Sequence, residues 1–417
     1  MKSKIGIIGL GYVGIELAIN IKKKKFDVYL FDKDLNKIND LKKGKSPLNI
    51  FTNKDIGILD RANIFHTNQI HNIGKCDVII FCLPTPLMKN NKPDMTFLEK
   101  SFSSMFKYLK KNQLLINEST VYPGATREIF VKKLRKKFSI GKNFYISFSP
   151  ERVSPGKTYS IKFTNVPKIL SGYSNNCLDR AYKLYSKIFS NIYKSSSLEE
   201  AEFIKLYENT FRLVNISLVN SLKMLSDKLN LKIFKIIDGA RTKPYGFIPF
   251  SPSPGIGGHC IPIDPMFLSW KANQLNFNDK LIKSAYVVNQ QVVDWTIKKI
   301  KKNINKKDKI LFLGISYKKD VDDIRESAAL KIFKEFKIIL KNNVDYYDPL
   351  VSRVNLNKEI IPSLKKLNYK ILKSYDKIIL TVDHSIFNYN MILKSSKVII
   401  DTRGIFKDIK KSNIYHF

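Results

Sequence analysis

The sequence predicts an α/β protein in which two doubly wound parallel-sheet domains are joined by a central helical domain. Short apolar runs that end in turn residues recur through residues 4–147 and again through residues 309–401, as expected for buried parallel strands. Helical patterns alternate with these runs, which favours parallel sheets. Between the two regions, one helical pattern runs from Ser197 to about Leu229, much longer than the average globular helix.

The size and composition indicate a globular protein with two or three cores. The chain has 417 residues, of which 44% are apolar, so a disordered chain is not expected. No stretch approaches the roughly 18 uninterrupted apolar residues of a membrane span. The N-terminus begins a strand pattern at once and lacks the layout of a signal peptide. We therefore expect a soluble, cytoplasmic protein with no membrane partner.

The formal net charge of +37 would normally suggest nucleic acid or an anionic membrane as a partner. The lysines, however, are spread along the whole chain, and only Lys22 to Lys25 form a true run. We interpret the charge mainly as a lysine-rich composition and expect no nucleic-acid partner. A positive surface would still attract a substrate that carries phosphate.

The cysteines and histidines do not indicate a metal site. The four cysteines are widely separated and form no C-x-x-C pair, which argues against a disulfide framework and a structural zinc site. The five histidines show no metal-ligand spacing either. We expect no metal.

A glycine-rich turn near the N-terminus predicts a dinucleotide site in a Rossmann-like domain. An apolar run at residues 4–9 leads into Gly9-Leu-Gly11-Tyr-Val-Gly14, and a helical pattern follows. Glycines there allow a tight turn and a close approach of the pyrophosphate to the helix N-terminus. The next apolar run ends at Asp32, whose carboxylate can bind the ribose 2′-hydroxyl, so NAD is favoured over NADP. The predicted cofactor-binding residues are Gly9, Gly11, Tyr12, Val13, Gly14, Asp32, Lys37, Thr85 and Thr120.

Polar residues follow three further predicted strands of the same domain. Asp77–Leu83 leads to Thr85, Gln113–Asn117 leads to Glu118-Ser119-Thr120, and Asn143–Ser147, interpreted as the last strand, leads to Glu151 and Arg152. Ligands of doubly wound sheets lie beyond the carboxyl ends of the strands. The two threonines are therefore candidates to face the cofactor, although a threonine there can also be an ordinary turn or cap residue.

The long central helix carries two polar residues on one face. It opens with Ser197-Leu-Glu-Glu, the pattern of a capping box. Lys205 and Asn209 are four residues apart, so they share a face; the lysine could relay a proton, and the amide could donate to an oxyanion. A solvated lysine and an ordinary polar helix residue are the alternative. One side of so long a helix could be buried in a partner subunit.

The stretch from Gly255 to Pro265 has the features expected around a reactive thiol. Cys260 ends a glycine-rich loop stiffened by prolines, and Asp264 follows four residues later. A thiol needs exposure and a polarising neighbour to act as a nucleophile. His259 directly precedes the cysteine, but adjacent side chains usually point apart, so a structural role is favoured for it.

The last third resembles the first in its alternation of strands and helices but lacks the glycine fingerprint. Strand-like runs lie at residues 309–314, 344–347, 377–381 and 398–401, with a helix at about 326–340 between the first two. The loops after them carry Lys318, Arg325 and Arg403, and such groups suit a nucleotide diphosphate. The alternative is that the charged segment at 317–327 is only a solvated loop.

Together, these motifs resemble the UDP-sugar 6-dehydrogenase family, which oxidises a hexose C6 alcohol to a carboxylate. The resemblance covers essentially the whole chain. It rests on Gly9 to Gly14, Pro84-Thr-Pro86, Glu118-Ser-Thr120, Ser149-Pro-Glu151, Lys205 with Asn209, Gly257-Gly-His-Cys260 with Asp264, and Tyr317 through Ser327.

The resemblance implies an NAD-binding domain at 1–194, a central helical domain at 195–300 that dimerises through its long helix, and a UDP-sugar-binding domain at 301–417. It also implies two hydride transfers to NAD⁺, with the aldehyde held on a cysteine as a thiohemiacetal and then a thioester. The catalytic residues implied are Cys260, Lys205, Asp264, Asn209, Glu151 and Thr120. The substrate-binding residues implied are Glu151, Arg152, Lys205, Asn209, Gly257, Lys318 and Arg403.

The identity of the sugar is a more specific expectation than the family. The motifs at 118–124, 149–152, 243–247 and 258–265 resemble the bacterial UDP-N-acetylhexosamine branch, closest to the UDP-N-acetylglucosamine enzymes of surface-polysaccharide synthesis. Pro155 stands where the UDP-glucose branch has a second glutamate, which puts in doubt Glu151 as a sufficient base on its own. UDP-glucose is the alternative substrate, and a non-catalytic nucleotide-binding protein of the same fold is the alternative function.

Overall fold

The computed structural model describes residues 3–152, 162–356 and 359–417. The chain forms two compact units. The first comprises Met1–Glu208 with Met266–Asn278, and the second comprises Asn209–Pro265 with Asp279–Phe417. The predicted domain limits at 194/195 and 300/301 stay a prediction. Pro155 lies outside the described residues.

The first unit is built on a sheet that has eight strands among its described residues. They are β1 (Lys4–Ile8), β2 (Asp27–Asp32), β3 (Asn63–His66), β4 (Val78–Phe81), β5 (Leu114–Asn117), β6 (Tyr145–Phe148), β7 (Lys168–Gly172) and β8 (Ile192–Lys194). Their spatial order is β3-β2-β1-β4-β5-β6-β7-β8, with neighbours parallel except the antiparallel pair β6–β7. The order reverses between β1 and β4, the place where doubly wound sheets bind ligands.

Helices cover both faces of this sheet, so its central strands are buried at nearly every position. The α-helices of this part of the chain are α1 (Tyr12–Lys23), α2 (Leu35–Lys42), α3 (Asn53–Gly57), α4 (Thr96–Met105), α5 (Lys132–Leu134) and α6 (Asn175–Tyr185). The predicted strands are confirmed within a few residues, but the interpretation of 143–147 as the last strand is wrong. Strands β7 and β8 follow it, and each contains only two successive apolar residues, so neither forms an apolar run.

The central helices are α7 (Leu198–Lys228), α8 (Ile233–Arg241), α9 (Asp264–Gln274) and α10 (Lys280–Lys302). The predicted long helix is therefore confirmed. Its N-terminal cap is only half of the predicted box. Ser197 Oγ accepts from the Glu200 backbone N–H at 3.1 Å, whereas the Glu200 carboxylate accepts from Ser195 and Ser196 instead.

The second unit contains a parallel sheet in the order β10-β9-β13-β14-β15, together with a two-stranded antiparallel ribbon, β11–β12. The strands are β9 (Ile310–Leu313), β10 (Val344–Tyr347), β11 (Arg353–Leu356), β12 (Glu359–Pro362), β13 (Lys377–Leu380), β14 (Ile399–Asp401) and β15 (Ile414–His416). The remaining helices are α11 (Ala328–Leu340), α12 (Tyr369–Lys373) and α13 (Tyr389–Ser395). The second α/β sheet and the predicted helix between β9 and β10 are confirmed. Across the described parts of the chain, no helix has the length and apolarity that a membrane crossing requires.

Candidate active site

The glycine turn of the first unit has the geometry of a dinucleotide cradle. Gly9 has φ +97°, and a Cβ built on it would lie 2.5 Å from the carbonyl oxygen of Cys82. A Cβ on Gly14 would lie 1.9 Å from the carbonyl oxygen of Gly9. A Cβ on Gly11 meets nothing within 4 Å. The first and third glycines are thus demanded by the fold, whereas the second borders open space where a ligand can approach the backbone.

The carboxylate of Asp32 lies beside this turn. Its Oδ2 accepts a hydrogen bond from the Leu10 backbone at 2.7 Å, and its Oδ1 accepts one from the Asp34 backbone at 2.9 Å. Helix α1 begins directly after Gly11, and no side chain caps its N-terminus. An anion can therefore lie at the start of α1 while Asp32 binds a ribose, which fits NAD.

The other predicted cofactor residues lie around the same turn or near it. Tyr12 and Val13 form the first turn of α1. Lys37 lies in α2, and its backbone donates to the N-cap residue Asp34. Thr85 and Thr120 are half-buried in the segments that follow β4 and β5. Those segments are joined because Ser119 Oγ accepts from the Leu83 backbone at 2.9 Å. The cofactor contacts of these side chains stay predictions.

A buried ion cluster that the sequence did not predict lies at the same rim of the sheet. The ammonium of Lys168, the first residue of β7, is 2.8 Å from Glu118 Oε2 and 3.1 Å from Glu151 Oε2. The Tyr185 hydroxyl donates to the other oxygen of Glu118. All four side chains are buried or nearly so. Glu151 is therefore held by a lysine rather than standing alone.

The opposite charges in this cluster offset part of the free-energy cost of burying one another. Burial raises the pKa of Glu118, and the positive charge of Lys168 only partly opposes that effect. Burial acts to lower the pKa of Lys168, but Glu118 and Glu151 outweigh it and raise that pKa. Lys168 is thus a permanent cation at neutral pH, placed between two carboxyl groups.

Arg152, predicted to bind substrate, is tied to the protein by two contacts. Its guanidinium donates to the Pro167 carbonyl at 2.7 Å and lies 2.6 Å from the carboxylate of Glu208 in α7. Its side chain is about a quarter exposed. Both contacts fix the segment that follows β6, which carries Glu151.

In the second unit, two predicted catalytic residues are in direct contact. Asn209 Nδ2 donates to Asp264 Oδ2 at 2.6 Å, and both side chains are buried. Asp264 begins α9, and its backbone donates to the carbonyl of Cys260 at 2.8 Å, so the carboxylate and the half-exposed thiol share one turn. Lys205 lies one turn before Asn209 in α7, half-buried, in the part of that helix assigned to the first unit. Its role stays a prediction.

The glycines before Cys260 make room for another loop of the second unit. A Cβ on Gly257 would lie 2.7 Å from the carbonyl oxygen of Glu326, and one on Gly258 would lie 2.7 Å from the ring of Tyr317. The Gly258 backbone donates to the Arg325 carbonyl at 3.0 Å. The predicted substrate contact of Gly257 would therefore be made by its backbone, because the space beyond its Cα is filled.

That His259 and Cys260 point apart stays a prediction, although the thiol is among the groups that raise the pKa of the imidazole. The imidazole is held by two charged residues that the sequence did not assign to it. Arg325 Nη2 lies 2.9 Å from His259 Nδ1, and Asp323 Oδ2 lies 3.6 Å from the same nitrogen. Arg325 also forms a 2.5 Å ion pair with Asp323.

These neighbours decide the charge of the histidine. Burial acts to lower the pKa of His259, but Asp323 and Cys260 outweigh it and raise the pKa to about 9. Burial acts to raise the pKa of Asp323, but His259 and Arg325 outweigh it and hold that pKa well below its usual range. A positive imidazole beside a permanent carboxylate is therefore the neutral-pH state, and it lies next to the thiol.

The predicted UDP contacts lie in two loops after strands of the second sheet. Lys318 is half-buried, and burial lowers its pKa, with a further lowering by Arg212. Arg403 Nε donates to Asp383 Oδ1 at 2.9 Å. Among the described residues, no group of histidines, cysteines and acidic residues is arranged to hold a metal ion. The UDP roles of the two cations stay predictions.

Comparison with known proteins gives a family for all three regions of the chain. Residues 3–189, 199–291 and 311–408 match the NAD-binding, central and UDP-binding domains of the UDP-glucose/GDP-mannose dehydrogenase family. A UDP-N-acetyl-D-glucosamine 6-dehydrogenase of Pseudomonas aeruginosa is 31% identical over 98% of both chains. A UDP-N-acetyl-D-mannosamine dehydrogenase of Methanocaldococcus jannaschii is 32% identical over 96% of this chain and 92% of that one.

A solved structure agrees with these matches. The UDP-D-ManNAc dehydrogenase of Pyrococcus horikoshii superposes with a TM-score of 0.85 at 28% identity, covering 99% of this chain and 98% of that one. The glycine turn with Asp32 and the cysteine loop with Asn209 and Asp264 thus lie in a chain matched along nearly its whole length. The chain belongs to the UDP-glucose/GDP-mannose dehydrogenase family.

Proposed function

We propose that this NAD-dependent dehydrogenase oxidises the C6 hydroxyl of UDP-N-acetylglucosamine to the carboxylate in two steps on one thiol. The observation that carries the proposal is Cys260, half-exposed, directly after His259 and one turn from the buried Asn209–Asp264 pair. A dinucleotide turn alone would serve an ordinary alcohol dehydrogenase. A nucleophilic thiol explains how an alcohol is oxidised twice without release of the aldehyde.

The first oxidation needs a base for the C6 hydroxyl. NAD⁺ is the hydride acceptor in both oxidations. We assign the hydroxyl proton to Asp264, directly or through a water, with Lys205 stabilising the oxyanion. Asn209 orients Asp264, because its amide nitrogen already donates to that carboxylate at 2.6 Å. This hydrogen bond fixes the orientation of the Asp264 carboxylate for proton transfer.

The thiol then captures the aldehyde. Cys260 Sγ forms a bond to C6 as the carbonyl oxygen takes a proton, which gives a thiohemiacetal. The charged His259 beside it would hold the thiolate before attack, since the Asp323 carboxylate keeps the imidazole protonated. Loss of a second hydride from C6 and of the hydroxyl proton converts the thiohemiacetal to a thioester. Water breaks the C–S bond, and the products are the carboxylate and the free thiol.

Hydrolysis of the thioester requires an oriented water. We assign this role to Glu151, with Thr120 positioning the water. Lys168 lies 3.1 Å from Glu151 and fixes one of its oxygens. The buried lysine thereby compensates for a site that lacks a second glutamate four residues later. Lys168 is a positioning residue in this scheme, because it acts through Glu151.

The substrate is a UDP-N-acetylhexosamine, and within that class we propose UDP-N-acetylglucosamine. Relatives named for the glucosamine and for the mannosamine sugar are similarly identical to this chain, so identity does not decide between them. The motif resemblance at 118–124 and 258–265 favours UDP-N-acetylglucosamine. Synthesis of a surface-polysaccharide precursor in the cytoplasm is the corresponding biological role.

The test is NADH formation with UDP-N-acetylglucosamine, UDP-N-acetylmannosamine, UDP-N-acetylgalactosamine and UDP-glucose in parallel. We expect the highest kcat/KM with UDP-N-acetylglucosamine and two NADH per sugar consumed. One NADH per sugar would refute the two-step scheme. A higher kcat/KM with another sugar would refute the choice of substrate and leave the thiol mechanism standing.

We further propose that the protein is a homodimer through α7. One face of this helix, continued by the residue after it, carries large apolar side chains that are 41–57% exposed. They are Phe211, Leu218, Leu222, Leu225 and Leu229. Their spacing of three, four and seven residues forms one stripe, and such a stripe is costly in water.

The oligomeric state tests this proposal. The double variant Leu222→Glu and Leu229→Glu should sediment as a monomer, while Leu350→Glu, an exposed leucine elsewhere in the second unit, should not change the mass. An unaltered mass for the double variant would place the dimer contact elsewhere or exclude a dimer.

A further inference from the structure

The second unit contains a cavity that the proposed reaction does not use. Its volume is about 650 Å³, within the range of roughly 300–1,000 Å³ typical of small-molecule sites. It lies among the C-terminal end of α7, the start of α8, Trp295 of α10 and residues 407–417. None of its lining residues is among the predicted catalytic, cofactor or substrate residues. The cavity is therefore separate in its residues from the active site.

A lysine with a buried ammonium group lines this cavity. Lys223 is 1% exposed, and its Nζ has no hydrogen-bond partner within the described parts of the chain. Burying an ammonium without a hydrogen-bond partner is costly, so proteins rarely keep one without a use. Burial, with a further contribution from Arg403, lowers the pKa of Lys223 to about 7. An anion in the cavity would keep this lysine charged.

The rest of the lining is strongly basic. Six lysines and two aspartates line the cavity. The lysines are Lys223, Lys232, Lys235, Lys407, Lys410 and Lys411. The two aspartates are already paired, Asp227 with Lys299 at 2.5 Å and Asp408 with Lys235 at 2.9 Å. The net charge that faces the cavity is therefore positive, as an anion site requires.

An aromatic ring stands beside the buried ammonium. The centroid of the Trp295 ring is 5.5 Å from Lys223 Nζ, and Phe417 meets the same ring edge-on at 6.0 Å between centroids. A cation next to a flat aromatic surface matches a ligand that has both a phosphate and a planar base. Lysine clusters are common binders of phosphate, whereas planar carboxylates are more often met by arginine.

We propose that this cavity is a binding site for an organic phosphate of nucleotide size, with its phosphate on Lys223 and the rim lysines and its ring against Trp295. Bound there, the ligand pairs the buried ammonium and stabilises the second unit. A ligand site outside the reaction centre gives the enzyme a place to respond to a metabolite other than its substrate.

The binding test uses Trp295 as a local reporter. The sequence has two tryptophans, so Trp270→Phe leaves Trp295 as the single one. ADP, inorganic pyrophosphate and citrate are titrated into this variant with NAD⁺ and UDP already saturating. We expect ADP to change the Trp295 emission at micromolar concentration, pyrophosphate to bind about tenfold more weakly, and citrate to bind weakest. No change with ADP up to millimolar concentration would overturn the proposal, and equal binding of citrate would overturn the choice of phosphate.

Two variants in the same background locate the site. Lys223→Met should weaken ADP binding at least tenfold and raise the midpoint of thermal unfolding, because an unpaired buried charge is removed. The exposed Lys302→Met in α10 is the matched control and should change neither. Should Lys223→Met not fold, the exposed pair Lys410→Glu and Lys411→Glu should weaken ADP binding by a similar factor. Unchanged ADP affinity in the variant that folds would overturn the proposal.

Discussion

Replacing Lys168 by methionine should strongly destabilise the first unit at neutral pH. The lysine is fully buried with Glu118 and lies within 3.1 Å of two carboxylates. Methionine has nearly the same volume, so no cavity forms, but two carboxyl groups lose their cation. Removing one partner of a buried ion pair costs about 3–5 kcal/mol. At about 2–4 °C per kcal/mol for a unit of this size, the unfolding midpoint should fall by roughly 10 °C.

The pH dependence of this loss identifies its cause. The pKa of Glu118 is raised in the folded state, so the folded state binds a proton more readily than the unfolded state. The corresponding stability is lost as the pH rises through the folded-state pKa and returns as the pH falls. Without Lys168, this effect grows. Lys168 itself has a raised pKa, so its contribution is constant below about pH 10. The destabilisation should therefore be larger at pH 8 than at pH 5.5.

Thermal unfolding followed by circular dichroism at the two pH values measures the effect. The double variant Glu118→Gln and Lys168→Met is the matched control, and it should recover most of the loss because no unpaired carboxylate remains at Glu118. A loss below about 1 kcal/mol, or one that grows as the pH falls, would show that the cluster does not behave as a buried ion pair.

Three further changes test the reaction site and the cofactor turn. Cys260→Ser should lower turnover by at least a thousandfold and yield no more than one NADH per site in a single burst, and full turnover in this variant would remove the thiol from the scheme. Asp323→Asn should slow alkylation of Cys260 by iodoacetamide about tenfold between pH 6 and 8, since the raised pKa of His259 would fall and its charge would be lost. Asp320→Asn is the control. An unchanged alkylation rate in Asp323→Asn would show that Asp323 does not influence the thiol. Gly14→Ala should destabilise the first unit by about 2 kcal/mol or more, because its Cβ would overlap the Gly9 carbonyl. Gly11→Ala should unfold like the parent but bind NAD⁺ at least tenfold more weakly. Equal NAD⁺ affinity in Gly11→Ala would argue against a pyrophosphate at that glycine.

Much of the first unit could be predicted because its signals are local. The glycine turn, the helix after it and Asp32 lie within about thirty residues, and each has a backbone reason readable from residue type. The pairing of Asn209 with Asp264 could not be derived from spacing, since 55 residues separate them. The family resemblance gave both residues catalytic roles, and only the structure shows the 2.6 Å hydrogen bond between them.

The parts that sequence reasoning missed depend on contacts distant in the chain. A lysine at the end of a strand, such as Lys168, would be expected on the surface. Its partners Glu118 and Glu151 lie 50 and 17 residues away in the chain and allow it to be buried. His259 meets Asp323 and Arg325 more than sixty residues away in the chain, so no local pattern indicated these contacts. The signals available were weak: Glu118 stands inside a recognised motif, and Asp323 with Arg325 stands in a segment too charged for a core.

The close fit of Gly257 and Gly258 against Tyr317 and Glu326 has a kinetic consequence. Lys318, the predicted UDP contact, adjoins Tyr317, so the segment predicted to bind the nucleotide packs against the loop that carries the thiol. Binding energy from the uridine diphosphate can then be used to hold Cys260 in its reactive position. A hexosamine 1-phosphate, which lacks the uridine, should accordingly have a lower kcat as well as a higher KM. The nucleotide, which takes no part in bond making, would then help to set the rate.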